Sequence, residues 1–187
     1  ALEAAMKRDV ERLVREIPAA DLAVQWDVCQ EVLGRDGGMK LHIVDILDEA
    51  VARVVRQVGF VPAGVECGIH LCYGDPGHKH IIEPKDLATC VDYANAISAR
   101  APRPIDFIHM PVPRDRCDDA YFAPLRNLTI PSATELVLGL VHRTGGVEGT
   151  RKRIAAAERH APRFTLATEC GLGRRAAHRP MPKITRT

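Results

Sequence analysis

The chain has 187 residues, of which 46% are hydrophobic and 27% charged, a composition typical of one globular domain with a sizeable core. Its 26 basic and 24 acidic residues leave a formal charge of +2, which favours neither nucleic acid nor a membrane surface as a partner. No apolar run is long enough to span a membrane, and no signal-peptide pattern opens the chain. Six cysteines without framework spacing favour a reducing, cytoplasmic compartment.

Apolar spacing and turn residues predict that helices alternate with strands along the chain. The helices are predicted at 2–17, 45–58, 85–99, 118–128 and 147–160. The strands are predicted at 22–28, 66–72, 104–110, 134–141 and 163–168. Because these strands are apolar on both faces, the pattern predicts a parallel sheet covered by helices. A domain is predicted over 1–173, and the basic segment 174–187 is predicted to be a loose tail.

Five such strands form either an open doubly wound sheet or part of an eight-stranded barrel. A whole barrel needs about 250 residues and rarely fewer than about 200, so length alone favours the open sheet. The polar residues favour the barrel, because they follow the carboxyl ends of different strands, which converge on the axis of a barrel. These residues are Asp27, His70, Cys72, His109, His142, Glu169 and Cys170.

His70 and Cys72 are two residues apart in the predicted strand 66–72, which Gly74 follows after one residue. Side chains at i and i+2 of a strand leave the same face, so the imidazole and the thiol are expected side by side. Such a pair is half of a tetrahedral zinc site, whose remaining positions are filled by other protein ligands or left open. Cys170 follows a later strand and is the candidate partner. The alternative is that Cys72 and Cys170 are small buried hydrophobic residues.

Four short motifs occur in the order, and on the strands, of the catalytic domain of cobalamin-independent methionine synthase. They are Gln25-Trp26-Asp27, His70-x-Cys72, Val141-His142 and Glu169-Cys170-Gly171-Leu172. The chain resembles this family over residues 20–173, and it resembles the family's uncharacterised relatives more closely. The resemblance implies a partial (β/α)8 TIM barrel, strands four to eight with outer helices. It also implies that another chain, or an amino-terminal segment absent from this chain, completes the barrel.

By position, the resemblance implies that His70, Cys72 and Cys170 are zinc ligands. The family has a glutamate ligand after its next strand, and that position aligns with Pro111, whose side chain cannot bind a metal. His109 lies two residues earlier on the same face of the strand and is therefore the candidate replacement. Related thiol-alkylating enzymes use His-x-Cys and a distant Cys alone, which leaves the fourth position to water or substrate.

The resemblance also implies roles for residues outside the metal set. Asp27 is expected to bind the amino group of the substrate, and the alternative is that it caps the following loop. His142 is expected to be the catalytic proton donor, and the alternative is a solvated turn residue. Glu169 is expected to contact the substrate or to orient a metal ligand, and the alternative is that it only ends a strand.

The function implied by the resemblance is zinc-dependent transfer of a methyl or other alkyl group to or from a small-molecule thiol, as in methionine biosynthesis. A folate is among the candidate alkyl donors, since in the family zinc delivers the homocysteine thiolate to the methyl group of a folate. Two alternatives stay open. One is a zinc lyase or hydrolase on the same barrel, and the other is an inactive half-barrel that assembles with a partner.

The remaining metal-binding residue types have less distinctive surroundings. Four cysteines lack partners at metal-ligand spacing and are interpreted as packing residues or free thiols: Cys29, Cys67, Cys90 and Cys117. Asp75, His78 and His80 occur together after Gly74, and a surface turn is favoured over a second metal site there.

Overall fold

The computed structural model describes residues 2–42, 45–77 and 79–171 and contains alternating helices and strands. The helices are α1 (Leu2–Glu16), α2 (Gln30–Arg35), α3 (Ile46–Val58), α4 (Ala88–Arg100), α5 (Asp119–Phe122) and α6 (Gly146–Ala157), with 3₁₀ turns at Ala19–Asp21 and Ala123–Asn127. The strands are β1 (Ala23–Val28), β2 (Glu66–Leu71), β3 (Phe107–Pro111), β4 (Glu135–Val141) and β5 (Thr165–Thr168). The predicted tail, 174–187, and Leu172 of the last motif lie outside the described residues.

Two helical segments differ from the sequence prediction. Helix α2 occupies a segment predicted to be a polar cluster and a loop, and it contains Gly34, a poor helix former. Val32 and Leu33 are completely buried there, so packing rather than propensity forms this helix. The helix predicted at 118–128 is instead the single turn α5 followed by a 3₁₀ turn, because Pro124 lacks the N–H group that continuation of α5 requires.

All five strands are parallel and lie in sequence order, β1-β2-β3-β4-β5. Because crossovers between parallel strands are almost always right-handed, an order without reversal places the connecting helices on one face of the sheet. A doubly wound sheet reverses its strand order at a switch point, and the described strands contain no reversal. The arrangement is consistent with part of a (β/α)8 barrel. Each helix of the described chain is too short or too polar to cross a membrane.

The hydrophobic core lies between the helices and one face of the sheet. In β1, Val24, Trp26 and Val28 are buried in this core, whereas Gln25 and Asp27 on the other face are exposed. The prediction that the strands are apolar on both faces is therefore wrong for β1, because the second face is not covered by helices. Both faces of β4 are apolar after Glu135, but Val137 and Val141 on the second face are only partly buried. We call this second face of the sheet the open face. It carries Gln25, Asp27, Gly68, His70, Phe107, His109, Val137 and Gly139.

On the open face, Phe107 packs closely against Gly68, one layer before the carboxyl ends of the strands. The ring of Phe107 covers Gly68, and a Cβ atom at Gly68 would lie only 2.0–2.4 Å from ring carbons. One layer further toward the carboxyl ends, His70 of β2 is paired in register with His109 of β3. A glycine at 68 thus leaves room for the aromatic ring in the layer before the two histidines.

Candidate metal centre

The side chains of His70, Cys72 and Cys170 converge at the carboxyl ends of β2 and β5. Their donor atoms all lie within 4.8 Å of one another, and the two sulfur atoms are 3.6 Å apart. His70 and Cys72 are each 5% exposed, whereas Cys170 is half-buried. The structure therefore brings together the three residues that the sequence singles out as zinc ligands.

Backbone pairing holds both cysteines close to the sheet. The Cys72 N–H donates to the Val28 carbonyl at 3.3 Å, which extends the pairing of β1 with β2 by one residue. The Glu169 N–H donates to the Val141 carbonyl at 3.0 Å, which does the same for the residue before Cys170. Gly74 adopts a positive φ of 73° and turns the chain so that its N–H donates to Cys72 Sγ at 3.2 Å.

Cys29 also belongs to this cluster, although sequence analysis interprets it as a packing residue or free thiol. A hydrogen bond with Cys72 lowers the pKa of Cys29 to about 7. Hydrogen bonds with Cys170 and Cys29, together with burial, raise the pKa of Cys72. Neighbouring thiolates repel one another, so the cluster resists a second ionisation, and a divalent cation among the sulfurs would reverse this effect. The sequence feature that could have identified Cys29 is its position, two residues after Asp27 at the end of the strand beside β2.

His109 pairs with His70 and lies beside the converging donors. Their Nδ1 atoms are 2.9 Å apart and their rings are stacked, with centroids separated by 4.6 Å. Burial, followed by the proximity of His70, lowers the pKa of His109 to about 4, so His109 is neutral near pH 7. Its Nε2 atom is buried and has no hydrogen-bond partner among the described residues. Gly139 makes room for this atom, since a Cβ there would lie 3.2 Å from it.

His142 is buried and uses both ring nitrogens. Its Nε2 lies 2.8 Å from the Val112 carbonyl, which only accepts, so Nε2 carries a proton. Its Nδ1 lies 3.0 Å from Glu169 Oε2, and a proton between these two atoms belongs to one or the other. His142 is 6% exposed, so the solvated-turn alternative is wrong. Glu169 orients His142 rather than merely ending a strand.

Two spaces lie beside these side chains and share several lining residues. A small cavity of about 10 Å³, room for one water-sized particle, is lined by His70, His109, His142 and Cys170 among others. A cleft of about 420 Å³ is also lined by His142 and Cys170. His142 therefore faces the same space as one of the candidate ligands.

The rim of the 420 Å³ cleft carries charges of both signs. Its basic and acidic members are Lys79, Arg114, Arg116, Asp75, Glu83 and Asp115. Sequence analysis did not single out the arginines, although they follow the carboxyl end of β3. The segment after Gly74 contributes Asp75 and His80 to the cleft, and His78 lies outside the described residues.

Asp27 lies on the open face at the carboxyl end of β1. It is opposite His70 in the pairing of β1 with β2, and its side chain is exposed. Gln25 donates a hydrogen bond of 2.8 Å to Asp27 Oδ1. The carboxylate thus stands next to the candidate metal ligands with room to accept a further donor.

Comparison with known proteins provides a structural neighbour. No family model matches the chain, and no curated protein matches its sequence. The structure is similar to the crystal structure named "Putative Vitamin-B12 Independent Methionine Synthase" from Listeria monocytogenes, with a TM-score of 0.57 over 92% of this chain. The two sequences are 16% identical, and the match spans 48% of the neighbour, about half its length. The chain therefore shares a fold with part of that protein.

Proposed function

We propose that the protein is a zinc-dependent transferase that moves a methyl or other alkyl group to or from a small-molecule thiol. The observation that carries this proposal is the convergence of His70, Cys72 and Cys170 beside a cleft. One nitrogen and two sulfur donors suit zinc, whereas magnesium and calcium prefer oxygen ligands. Three protein donors are also the number in catalytic zinc sites, where the fourth position is exchangeable.

Bound zinc would supply a thiolate at neutral pH, because a metal ion lowers the pKa of a thiol that coordinates it. The chain's own residues supply the proton chemistry around it. His142 and Glu169 hold one proton between them at 3.0 Å, beside the cleft, so the pair is suited to give a proton to the departing group. His109, whose Nδ1 lies 2.9 Å from His70 Nδ1, would orient that ligand.

The cleft favours a small substrate with charges of both signs. Its volume of about 420 Å³ suits a small molecule, and its rim carries lysine and arginine as well as aspartate and glutamate. We propose that Asp27, exposed on the same face as His70, binds the amino group of the thiol substrate. A folate remains a candidate alkyl donor.

We also propose that the sheet is strands four to eight of a (β/α)8 barrel. The outer strands β1 and β5 each have one neighbour in the described sheet, so each leaves backbone groups of one edge unpaired. Leu166 of β5 is 45% exposed, unlike its counterparts in the inner strands. Another chain, or a segment outside this sequence, would supply the remaining strands and cover these edges.

The test is whether the metal of the zinc-loaded, full-length protein takes up a thiol-like substrate. Selenohomocysteine is a suitable probe, because X-ray absorption at the zinc edge distinguishes selenium from cysteine sulfur. We expect one selenium neighbour, and we expect methyl transfer from methyl-tetrahydrofolate or another methyl donor to homocysteine. A zinc lyase or hydrolase would keep an oxygen ligand and take up no selenium. An inactive half-barrel would carry no metal.

A further inference from the structure

The sheet register directs Cys29 toward the candidate metal ligands. In the pairing of β1 with β2, Asp27 is opposite His70 and Val28 is opposite Leu71. The next position along places Cys29 opposite Cys72. Cys29 lies directly after β1, where the backbone turns into α2, so it stays at the carboxyl end of the sheet.

Contacts of the thiol agree with this placement. Cys72 is the largest influence on the pKa of Cys29, which it lowers, and Cys72 Sγ lies 3.6 Å from Cys170 Sγ, so the three thiols are neighbours. The Gly74 N–H donates to Cys72 Sγ at 3.2 Å and also lowers the pKa of Cys29. An amide that faces two sulfurs is suited to stabilise thiolates that bind a metal.

The other candidate ligands around His70, Cys72 and Cys170 are held by different partners. Glu169 bonds to His142, and Asp27 accepts from Gln25, so each would have to share its carboxylate to reach the metal. His109 bonds to His70 through Nδ1, and its Nε2, which faces Gly139, lies outside the group of converging donors. The groups that lower the pKa of Cys29, in contrast, are chiefly Cys72 and Gly74, within the cluster itself.

Cys29 has the freedom to complete the site. Its sulfur lies outside the group of donors that converge within 4.8 Å, so it has to move inward to bind the same ion. A cysteine sulfur moves by rotation about a single torsion, and Cys29 is only half-buried. Cys72 and His70, in contrast, are fixed by burial and by the ladder of the sheet.

We propose that Cys29 is the fourth metal ligand of the resting protein and completes a Cys3His set with His70, Cys72 and Cys170. The inference rests on the proposed function and goes beyond it, because Cys3His sites are closed to other ligands. A thiol substrate then enters by taking the place of Cys29. Cys29 leaves the metal as a neutral thiol, with the proton that the substrate thiol loses. Cys29 thus excludes water and other ligands until a thiol arrives.

Zinc-edge X-ray absorption of the full-length protein tests this inference without an activity assay. We expect three sulfur neighbours and one nitrogen neighbour in the wild-type protein without substrate. Cys29→Ser should keep one zinc ion but show two sulfur neighbours. It should bind zinc at least about 10-fold more weakly in competition with a chelator, since losing even an outer partner of a ligand costs that much. Cys117→Ser, which alters an exposed cysteine, is the control and should show three.

Selenohomocysteine then separates failure of this inference from failure of the proposed function. In the wild-type protein one selenium should replace one sulfur, so that two sulfurs remain. In Cys29→Ser selenium should add to the two sulfurs already present. Two sulfurs in the wild-type protein, with selenium still binding, would overturn the role of Cys29 and leave the proposed function standing. Absence of zinc from the wild-type protein would overturn both. The wild-type sulfur count decides the question even if Cys29→Ser does not fold.

Discussion

Cys72 Sγ and Cys170 Sγ are 3.6 Å apart, although β3 and β4 lie between the strands that carry them. Neighbouring strands are about 4.8 Å apart, so in a flat sheet the ends of β2 and β5 would be separated by about 14 Å. Backbone pairing keeps both cysteines next to their strands. The sheet therefore curves around its open face, and this curvature creates the candidate metal site.

Gly68 and Phe107 provide a test of how packing below the site supports it. In Gly68→Ala the added Cβ would fall about 2 Å from the Phe107 ring, so the ring must shift in the layer next to His70 and His109. We expect a loss of about 1–3 kcal/mol in the free energy of unfolding, measured with urea, and weaker zinc binding.

The double variant Gly68→Ala/Phe107→Leu is the matched control for this clash. A smaller side chain at 107 should restore part of the lost stability, because the two positions are in contact and their effects are not additive. Equal losses in the single and double variants would show that the ring does not cause the destabilisation.

His109 makes the stability of the metal-free protein depend on pH. Its pKa is about 4 in the folded protein and about 6.5 when unfolded, so the unfolded state gains a proton first as the pH falls. The contribution of neutral His109 to the free energy of unfolding is therefore complete above about pH 6.5 and is lost as the pH falls to about 4. Between pH 7 and 4 the wild-type protein should lose about 2–3 kcal/mol more than His109→Phe. The measurement is urea unfolding at each pH with a chelator present. Free energies of unfolding that fall in parallel with pH for the two proteins would contradict the prediction.

His142 should act on the reaction and not on the metal. Replacing it with glutamine removes the proton shared with Glu169, so alkyl transfer should fall by about 10²–10⁴-fold while zinc content stays unchanged. His160→Gln is the matched control, because His160 is also buried and lies 2.8 Å from a carboxylate, that of Asp119, away from the cleft. Loss of zinc from His142→Gln would identify a metal ligand instead, and unchanged transfer would remove His142 from the catalytic residues.

Arg153 joins the end of β4 to the loop after β3. Its Nε donates to the Leu140 carbonyl at 2.8 Å and its Nη1 to the Arg114 carbonyl at 2.6 Å, at a position only 1% exposed. Arg153→Met leaves both carbonyls without this donor and should cost roughly 2–4 kcal/mol of stability in urea. Arg151→Met alters an exposed ion pair with Glu148 on the same helix and should change stability by less than about 0.5 kcal/mol. Similar losses in both variants would contradict a special role for Arg153.

The sequence predicts the local features of this site better than the non-local ones. The alternation of helices and strands follows from apolar spacing, and His70 and Cys72 share a face because they are two residues apart on a strand. Cys29 was missed because its closeness to Cys72 depends on the register between β1 and β2, which no local spacing reveals. The exposed face of β1 was missed for a similar reason, since tertiary packing decides which face the helices cover. Local spacing likewise does not predict the partner of the buried His142 ring, because the carbonyl that accepts from its Nε2 belongs to the loop after β3.

The most direct measurement is the zinc content of the purified full-length protein and of its cysteine variants, determined by mass spectrometry of the metal. The account predicts one zinc ion per chain in the wild-type protein and in Cys117→Ser. It predicts that Cys72→Ser and Cys170→Ser lose the ion while keeping the wild-type circular dichroism spectrum. A folded wild-type protein that binds no zinc, or zinc content that neither Cys72→Ser nor Cys170→Ser reduces, would contradict the metal site.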